Sequence, residues 1–88
     1  MEISLIIPCY NEEVNIQKGV LDKVGNYTKD LEMFKEVIIV DDGSDDSTKD
    51  IIKKKYLPIF PKFVLVENKH MGKALAVITG VEKAKNSF

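Results

Sequence analysis

Residues 37–40 are Val-Ile-Ile-Val, four consecutive β-branched side chains, and the next six residues, Asp-Asp-Gly-Ser-Asp-Asp, hold four carboxylates. Branching at Cβ disfavours helix and suits the pleated surface of a strand. A strand with one wet face alternates apolar and polar residues. A run without alternation is covered on both faces, as in parallel sheets flanked by helices. Ile3–Pro8 and Phe63–Val66 are also near-continuous apolar runs, so the expected strands are Ile3–Pro8, Val37–Val40 and Phe63–Val66.

The intervals carry helical spacing. After Asn11, a good N-cap residue, Ile16, Val20 and Val24 recur every four positions with Leu21 beside them; Gly25-Asn26 is the expected stop. Leu31 and Phe34 suggest a further turn. Ser47-Thr48-Lys49-Asp50 resembles a capping box with Asp in place of Glu, and it precedes Ile51-Ile52. Tyr56-Leu57-Pro58 should end that helix, because proline lacks an N–H and restricts its predecessor. From Gly72 to Ala84, Ala74, Val77, Ile78 and Val81 fall on one face.

The order β-α-β-α-β-α predicts an α/β fold, a Rossmann-like parallel sheet with right-handed crossovers. At 88 residues the chain is one domain or less. Phe88 is the expected first residue of a fourth strand, so residues 1–88 are expected to be the front part of a larger domain.

In such a sheet every strand-to-helix loop opens on the same rim, where ligands of open α/β sheets bind. The three loops of that rim are Pro8–Glu13, Asp41–Asp46 and Glu67–Lys73, and they gather the unusual residues. The opposite rim, Gly25–Glu36 and Tyr56–Lys62, holds more ordinary turn residues. The crowded carboxylates of 41–46 therefore face a shared cleft. Glu12, Glu13, Asp45 and Asp46 lie at helix starts, where they satisfy the positive ends and make a bare phosphate unwelcome. Neither G-x-G-x-x-G nor a P-loop occurs. Carboxylates suit N–H and O–H donors such as a base edge or sugar hydroxyls, and Tyr10 offers a ring for stacking. Lys69 and Lys73 would offset diphosphate charge. Asp41 is expected to fix its turn by accepting loop N–H groups, and Asp42 to face the ligand.

Other classes fit the sequence less well. Thirteen basic against fourteen acidic residues give a net charge of -1, with no electrostatic reason for a nucleic-acid partner. A calcium loop counted from Asp42 would put Ser47 where glycine belongs and Lys53 where the bidentate glutamate belongs. A phosphoacceptor receiver would want its aspartate pair after the first strand. The lone Cys9 forms no internal disulfide and fits a reducing cytoplasmic setting.

Ile6-Ile7-Pro8-Cys9-Tyr10-Asn11-Glu12-Glu13 and Val37–Thr48 together resemble inverting family 2 glycosyltransferases of the GT-A fold, most of all the dolichyl-phosphate mannose and glucose synthase branch. The paired motifs are I-P-x-Y-N-E-E and V-D-D-G-S-x-D-x-T. Glu67–Ala74 is a looser match to the N-x-G-x-G/K-x-A segment, departing at His70 and Met71. The resemblance implies that residues 1–88 are the incomplete N-terminal, nucleotide-sugar-binding part of a GT-A catalytic domain. It implies a UDP- or GDP-hexose as donor. Pro8, Tyr10 and Glu12 would line the base and ribose pocket, Val40 would meet the base through its backbone, and Asp42 would accept from it. Asp41, Gly72 and Lys73 are further candidates for substrate binding. His70 is expected to be an exposed loop residue and Cys9 incidental.

The resemblance also implies Mg²⁺ or Mn²⁺ held by a D-x-D motif, and no D-x-D occurs in this sequence. Metal neutralisation of the leaving diphosphate should supply much of the catalysis, so the full-length parent is the expected enzyme and this part alone is expected to be inactive. A polyprenyl phosphate acceptor follows from the branch resemblance, with polysaccharides and glycolipids left open, and it would put the parent at the cytoplasmic membrane face. The alternative is a non-catalytic module that binds nucleotide or self-associates through the unpaired, apolar edge of its first strand.

Overall fold

The computed structural model describes residues 2–84, with the side chains of Lys73 and Ala74 outside the described set. Phe88, the residue expected to open a fourth strand, also lies outside it. Three strands, β1 (Ile3–Cys9), β2 (Phe34–Asp42) and β3 (Phe63–Asn68), form one parallel sheet in the order β1-β2-β3. The fold is the expected Rossmann-like α/β arrangement. Ile6 is in register with Ile38, and Ile38 with Val64.

Period-two alternation divides β2 between two layers. Val37 and Ile39 pack with Ile16, Leu21, Ile52, Tyr56, Phe60 and Phe63, the larger core. Ile38 and Val40 point the other way, toward Ile6, Val66 and Ala76. Val37, Ile38, Ile39 and Val40 are all sealed from solvent, as an uninterrupted β-branched run in a middle strand should be. Both crossovers lie over the larger core: α1 (Glu13–Gln17) and α2 (Val20–Thr28), then α3 (Thr48–Ile51) with a π-helical turn over Ile52–Tyr56. Two successive right-handed crossovers in the same direction must share a face. The last helix, α4 (Lys73–Lys83), crosses to the opposite face and lies over β1 and β2.

Several local expectations need correction. Phe34 is the first residue of β2, paired with Ile3, and only Leu31 lies in the turn before it. The first helix is broken at Gly19, whose φ of +94° is left-handed. That break shifts the inward phase from Val20, which is exposed, to Leu21. The second half then runs past Gly25 to Thr28. Gly25 is no stop: a Cβ there would come within 2.4 Å of Phe60 Cζ, so its role is close packing.

Ser47 makes no side-chain cap on α3. The Thr48 N–H at the start of α3 is accepted instead by Asp46 Oδ1, at 2.9 Å. Finally, α4 does not bury Val77, Ile78 and Val81, which are 38%, 50% and 42% exposed. It packs through Ala76 and Gly80, where a Cβ on Gly80 would sit 2.4 Å from Ile6 Cγ2. The branched side chains of Ile6 and Val40 already fill this side of the sheet, so the helix approaches on its smallest residues. Among the described residues no helix is long and apolar enough to cross a membrane.

The buried polar groups of the larger core are paired. The Tyr56 hydroxyl donates to Asp22 Oδ2 at 2.7 Å, tying the π-helical turn to α2. Burial, then the Asp22 carboxylate, pushes the phenol pKa up to about 12, so it remains a donor throughout the ordinary pH range.

Candidate functional site

Parallel register brings the three strand ends together. Cys9 lies beside Asp41, Asp41 beside Glu67, and Asp42 beside Asn68. The loops that leave these ends share one rim, and the first two are stitched by side chains to backbone. Asn11, which the spacing suggested as an N-cap, has φ +50° instead and caps nothing. Asparagine tolerates this left-handed geometry better than most residues. Its Oδ1 accepts the N–H groups of Asp45 at 2.7 Å and Asp46 at 3.4 Å.

The stitching runs both ways. The Asn11 N–H donates to Ser44 Oγ at 3.0 Å, the Glu12 N–H to Thr48 Oγ1 at 2.9 Å, and the Glu13 N–H to Asp46 Oδ2 at 3.3 Å. Glu13 Oε1 in turn accepts the Ser47 N–H at 2.8 Å. Thr48 is fully buried, and its hydroxyl donates onward to Asp46. Burial raises the Asp46 pKa, but the hydrogen bonds from Thr48 and Glu13 outweigh it and leave the carboxyl below its ordinary value. Glu13 and Asp46 thus act as acceptors for neighbouring backbone, which is how the chain accommodates their charge at one strand mouth.

The two aspartates at the end of β2 have different partners, although each is only 2% exposed. Asp41 fixes its own turn: Oδ1 accepts the Ser44 hydroxyl at 2.5 Å and Oδ2 the Ser44 N–H at 3.3 Å. Asp42 reaches across to the third loop. Its Oδ1 accepts the Met71 N–H at 3.0 Å and its Oδ2 the Gly72 N–H at 2.9 Å. The His70 ring nitrogen Nδ1 lies 3.0 Å from the same Oδ2 and 3.2 Å from the Asp42 carbonyl. Both neighbours are acceptors, which assigns the proton to Nδ1. The Met71 N–H holds the Asp42 carboxyl below its usual range; burial opposes this and is overcome by Gly72 and His70 as well.

Two glycines make this approach possible. Gly43 has φ +74°, and a Cβ on it would come within 2.6 Å of the His70 backbone nitrogen. Gly72 has φ +99° and presents its N–H to Asp42 just ahead of α4.

Between the loops lies a hollow of about 210 Å³ lined by Pro8, Cys9, Tyr10, Glu12, Asp42, His70 and Ala76. Four of the expected site residues meet there: Pro8, Tyr10, Glu12 and Asp42. The Tyr10 ring is stacked on His70, with centroids 4.1 Å apart and planes at 25°. Glu12 Oε2 accepts from the Asn15 amide at 2.6 Å, which orients its carboxylate. Gly72 touches the site through Asp42. Val40 and Asp41 lie behind it, Val40 as buried sheet core and Asp41 as the brace of its own turn. The side chain of Lys73 lies outside the described residues. Glu67 is drawn away to Lys49 and Lys53, at 3.4 and 3.1 Å.

Sequence reasoning missed Ser44, Thr48, Gly43 and the staple role of Asn11. Asn11 and Gly43 carried a local signal as residues that tolerate left-handed backbone, and Ser44 as a serine three residues after Asp41. His70 is the exposed loop residue that was expected, and it also engages Tyr10 and Asp42, which the sequence did not show. Cys9 is buried, and burial, then the charges of Glu12 and Asp41, pushes its thiol up to about 12, so it is no nucleophile at neutral pH.

A divalent cation does not fit these residues. Among the described residues no three of His, Cys, Asp and Glu are grouped to ligate one. Both oxygens of Asp41 and both of Asp42 are already hydrogen-bonded.

Comparison with known proteins gives a consistent result. Residues 4–88 match the family model described as glycosyl transferase family 2. Glycosyltransferase AglE of Haloferax volcanii is 36% identical over 86 residues, covering 98% of this chain and 28% of that protein. Dolichyl-phosphate beta-glucosyltransferase ALG5A of Trichomonas vaginalis is 38% identical over 84 residues, covering 89% of this chain and 25% of its own length. Undecaprenyl-phosphate 4-deoxy-4-formamido-L-arabinose transferase of Aeromonas hydrophila is 33% identical over 87 residues, covering 98% and 26%. The chain spans about a quarter of the length of these relatives.

Proposed function

The chain belongs to glycosyl transferase family 2, and on that premise we propose that residues 1–88 bind the nucleotide half of a nucleotide-diphosphate sugar, a UDP- or GDP-hexose. The observation that carries this reading is the meeting of Tyr10, Glu12 and Asp42 at one hollow, although they lie far apart in sequence. Tyr10 supplies a stacking face. Asp42, charged and fixed by two backbone N–H groups, accepts from the base edge, and Glu12 accepts from ribose hydroxyls. Pro8 forms the apolar floor beside them. Gly72 and Lys73, at the start of α4, lie on the diphosphate side.

The proposed reaction of the intact protein is inverting transfer of the hexose to an acceptor. Two of the relatives carry dolichyl phosphate or undecaprenyl phosphate in their names, which favours a polyprenyl phosphate and a place at the cytoplasmic membrane face. Mg²⁺ or Mn²⁺ at the diphosphate belongs, on this reading, to a D-x-D outside residues 1–88. The described residues also lack an obvious base: Asp42 is held in its charged form by its donors and is correspondingly weak. Residues 1–88 alone should therefore bind without turnover.

Isothermal titration of the intact protein with UDP, GDP and their hexoses tests the proposal. Saturable binding of one nucleotide series, lost in Asp42→Ala and weakened in Tyr10→Ala, is expected. Absence of binding to either series would end it.

A second reading, self-association, is favoured by the outer edge of β1, which has no strand partner among the described residues. An apolar hollow of about 460 Å³ lies among β1, α2 and the start of β2, lined by Leu5, Val24, Tyr27 and Phe34, among others. Light scattering of the 88-residue chain should show mass rising with concentration; a monomer throughout would remove this reading.

A further inference from the structure

The position of His70 carries the argument past donor binding in general. Its imidazole is a flat ring stacked on Tyr10, and its Nδ1–H points at Asp42 Oδ2. A nucleotide base in this hollow would need the same two contacts, a ring on Tyr10 and an N–H on Asp42. Asp42 Oδ2 already accepts from Gly72 as well as His70, which fills its two lone-pair directions. The remaining hollow, about 210 Å³, falls below the ~300–1,000 Å³ typical of small-molecule sites.

We propose that His70 is an internal surrogate for the base, a plug that occupies the Tyr10–Asp42 subsite and must leave before a nucleotide can enter. The proposal rests on the nucleotide-binding reading above and adds how that site is gated. The loop backbone is not the moving part. Met71 and Gly72 are bound to Asp42 through their N–H groups, and the His70 backbone nitrogen lies so near Gly43 that a Cβ there would come within 2.6 Å of it. The part that can turn is the side chain, which is 56% exposed and gives up only its contacts with Tyr10 and Asp42 by rotating. Rotation about its Cα–Cβ bond moves the ring into water, uncovers Tyr10 and returns one acceptor direction on Asp42, while the two backbone hydrogen bonds remain. Apparent affinity is then the intrinsic affinity multiplied by the fraction of molecules with the ring turned out.

Titration of UDP and GDP into the intact wild-type protein, His70→Ala and His70→Phe tests the plug. Removing the ring should tighten binding roughly three- to tenfold, the factor by which a plug closed two-thirds to nine-tenths of the time lowers affinity. His70→Phe keeps the stack but loses the N–H and should fall between wild type and His70→Ala. A second readout is the His70 ring resonances, assigned by their absence in His70→Ala. They should carry the ring-current shift of Tyr10 in the free protein and lose it at saturating nucleotide.

Nucleotide binding that is equal or weaker in His70→Ala overturns the plug and leaves the binding site intact. So does binding that leaves the His70 resonances unmoved. If no variant binds either nucleotide, the base-subsite reading itself fails and the plug fails with it.

Discussion

Replacing Thr48 with valine removes one hydroxyl from a buried position at nearly constant volume. In the folded chain that hydroxyl accepts the Glu12 N–H at 2.9 Å and donates to Asp46. Both partners lie in the part-buried seam between the first two loops, so water replaces the lost atom poorly. An unmade hydrogen bond in such a setting costs about 1 kcal/mol and up to about 3 kcal/mol. Two of them put Thr48→Val at about 2 kcal/mol of lost stability.

For a domain of this size each kcal/mol lowers the melting temperature by about 4–8 °C, which gives a fall of roughly 8–16 °C. Thr48→Ser keeps the hydroxyl and loses one buried methyl, worth about 1 kcal/mol. The two variants therefore separate the hydrogen bonds from the packing. Thermal unfolding of residues 1–88 followed by circular dichroism is the assay. Nucleotide affinity in the intact protein should fall with Thr48→Val as well, because the released Glu12 backbone carries a proposed ribose contact. A Thr48→Ser variant as unstable as Thr48→Val would refute the reasoning, since the seam would then be held by apolar packing alone.

Gly25→Ala should lose about 1–3 kcal/mol, because the new methyl meets Phe60 Cζ at 2.4 Å and Phe60 is itself packed in the core; urea unfolding checks it. Asp42 has a folded pKa below its ordinary 3.8, so its contribution is present above that value and is lost as pH falls below it. The stability difference between wild type and Asp42→Asn should therefore shrink as pH is taken from neutral to below 3.8. A difference that does not change over that range would contradict the assignment. Cys9, buried and held near 12, should resist a maleimide at pH 8 in the folded chain and react once the chain is unfolded in urea.

The sheet was legible because its signal is local and strong. Val37–Val40 and its neighbouring runs can satisfy their backbone and bury both faces in only one kind of layer. The turn role of Asp41 was legible for the same reason, since an aspartate followed three residues later by a serine can bond within its own loop.

Helix details were less so. Apolar spacing marks which residues can be buried, and α4 has more of them than the sheet beneath it accepts. Ala76 and Gly80 prevail because Ile6 and Val40 leave no room for Val77 or Ile78 to approach. A left-handed Gly19 resets the phase of the first helix in a way that four-residue spacing cannot show.

Around the hollow, residue types pointed to the loops that meet there, but the partners that hold them were hidden. Thr48 and Ser44 act across more than thirty positions of chain. His70 carries no pattern that would tie it to Tyr10, sixty positions before it.

The central claim is that a nucleotide base occupies the hollow between Tyr10 and Asp42. A crystal structure of the intact protein soaked with UDP or GDP tests it most directly. The account predicts the base ring on Tyr10, a base N–H on Asp42, and the His70 ring turned out into solvent. A base seated elsewhere, with His70 still stacked on Tyr10, would contradict it.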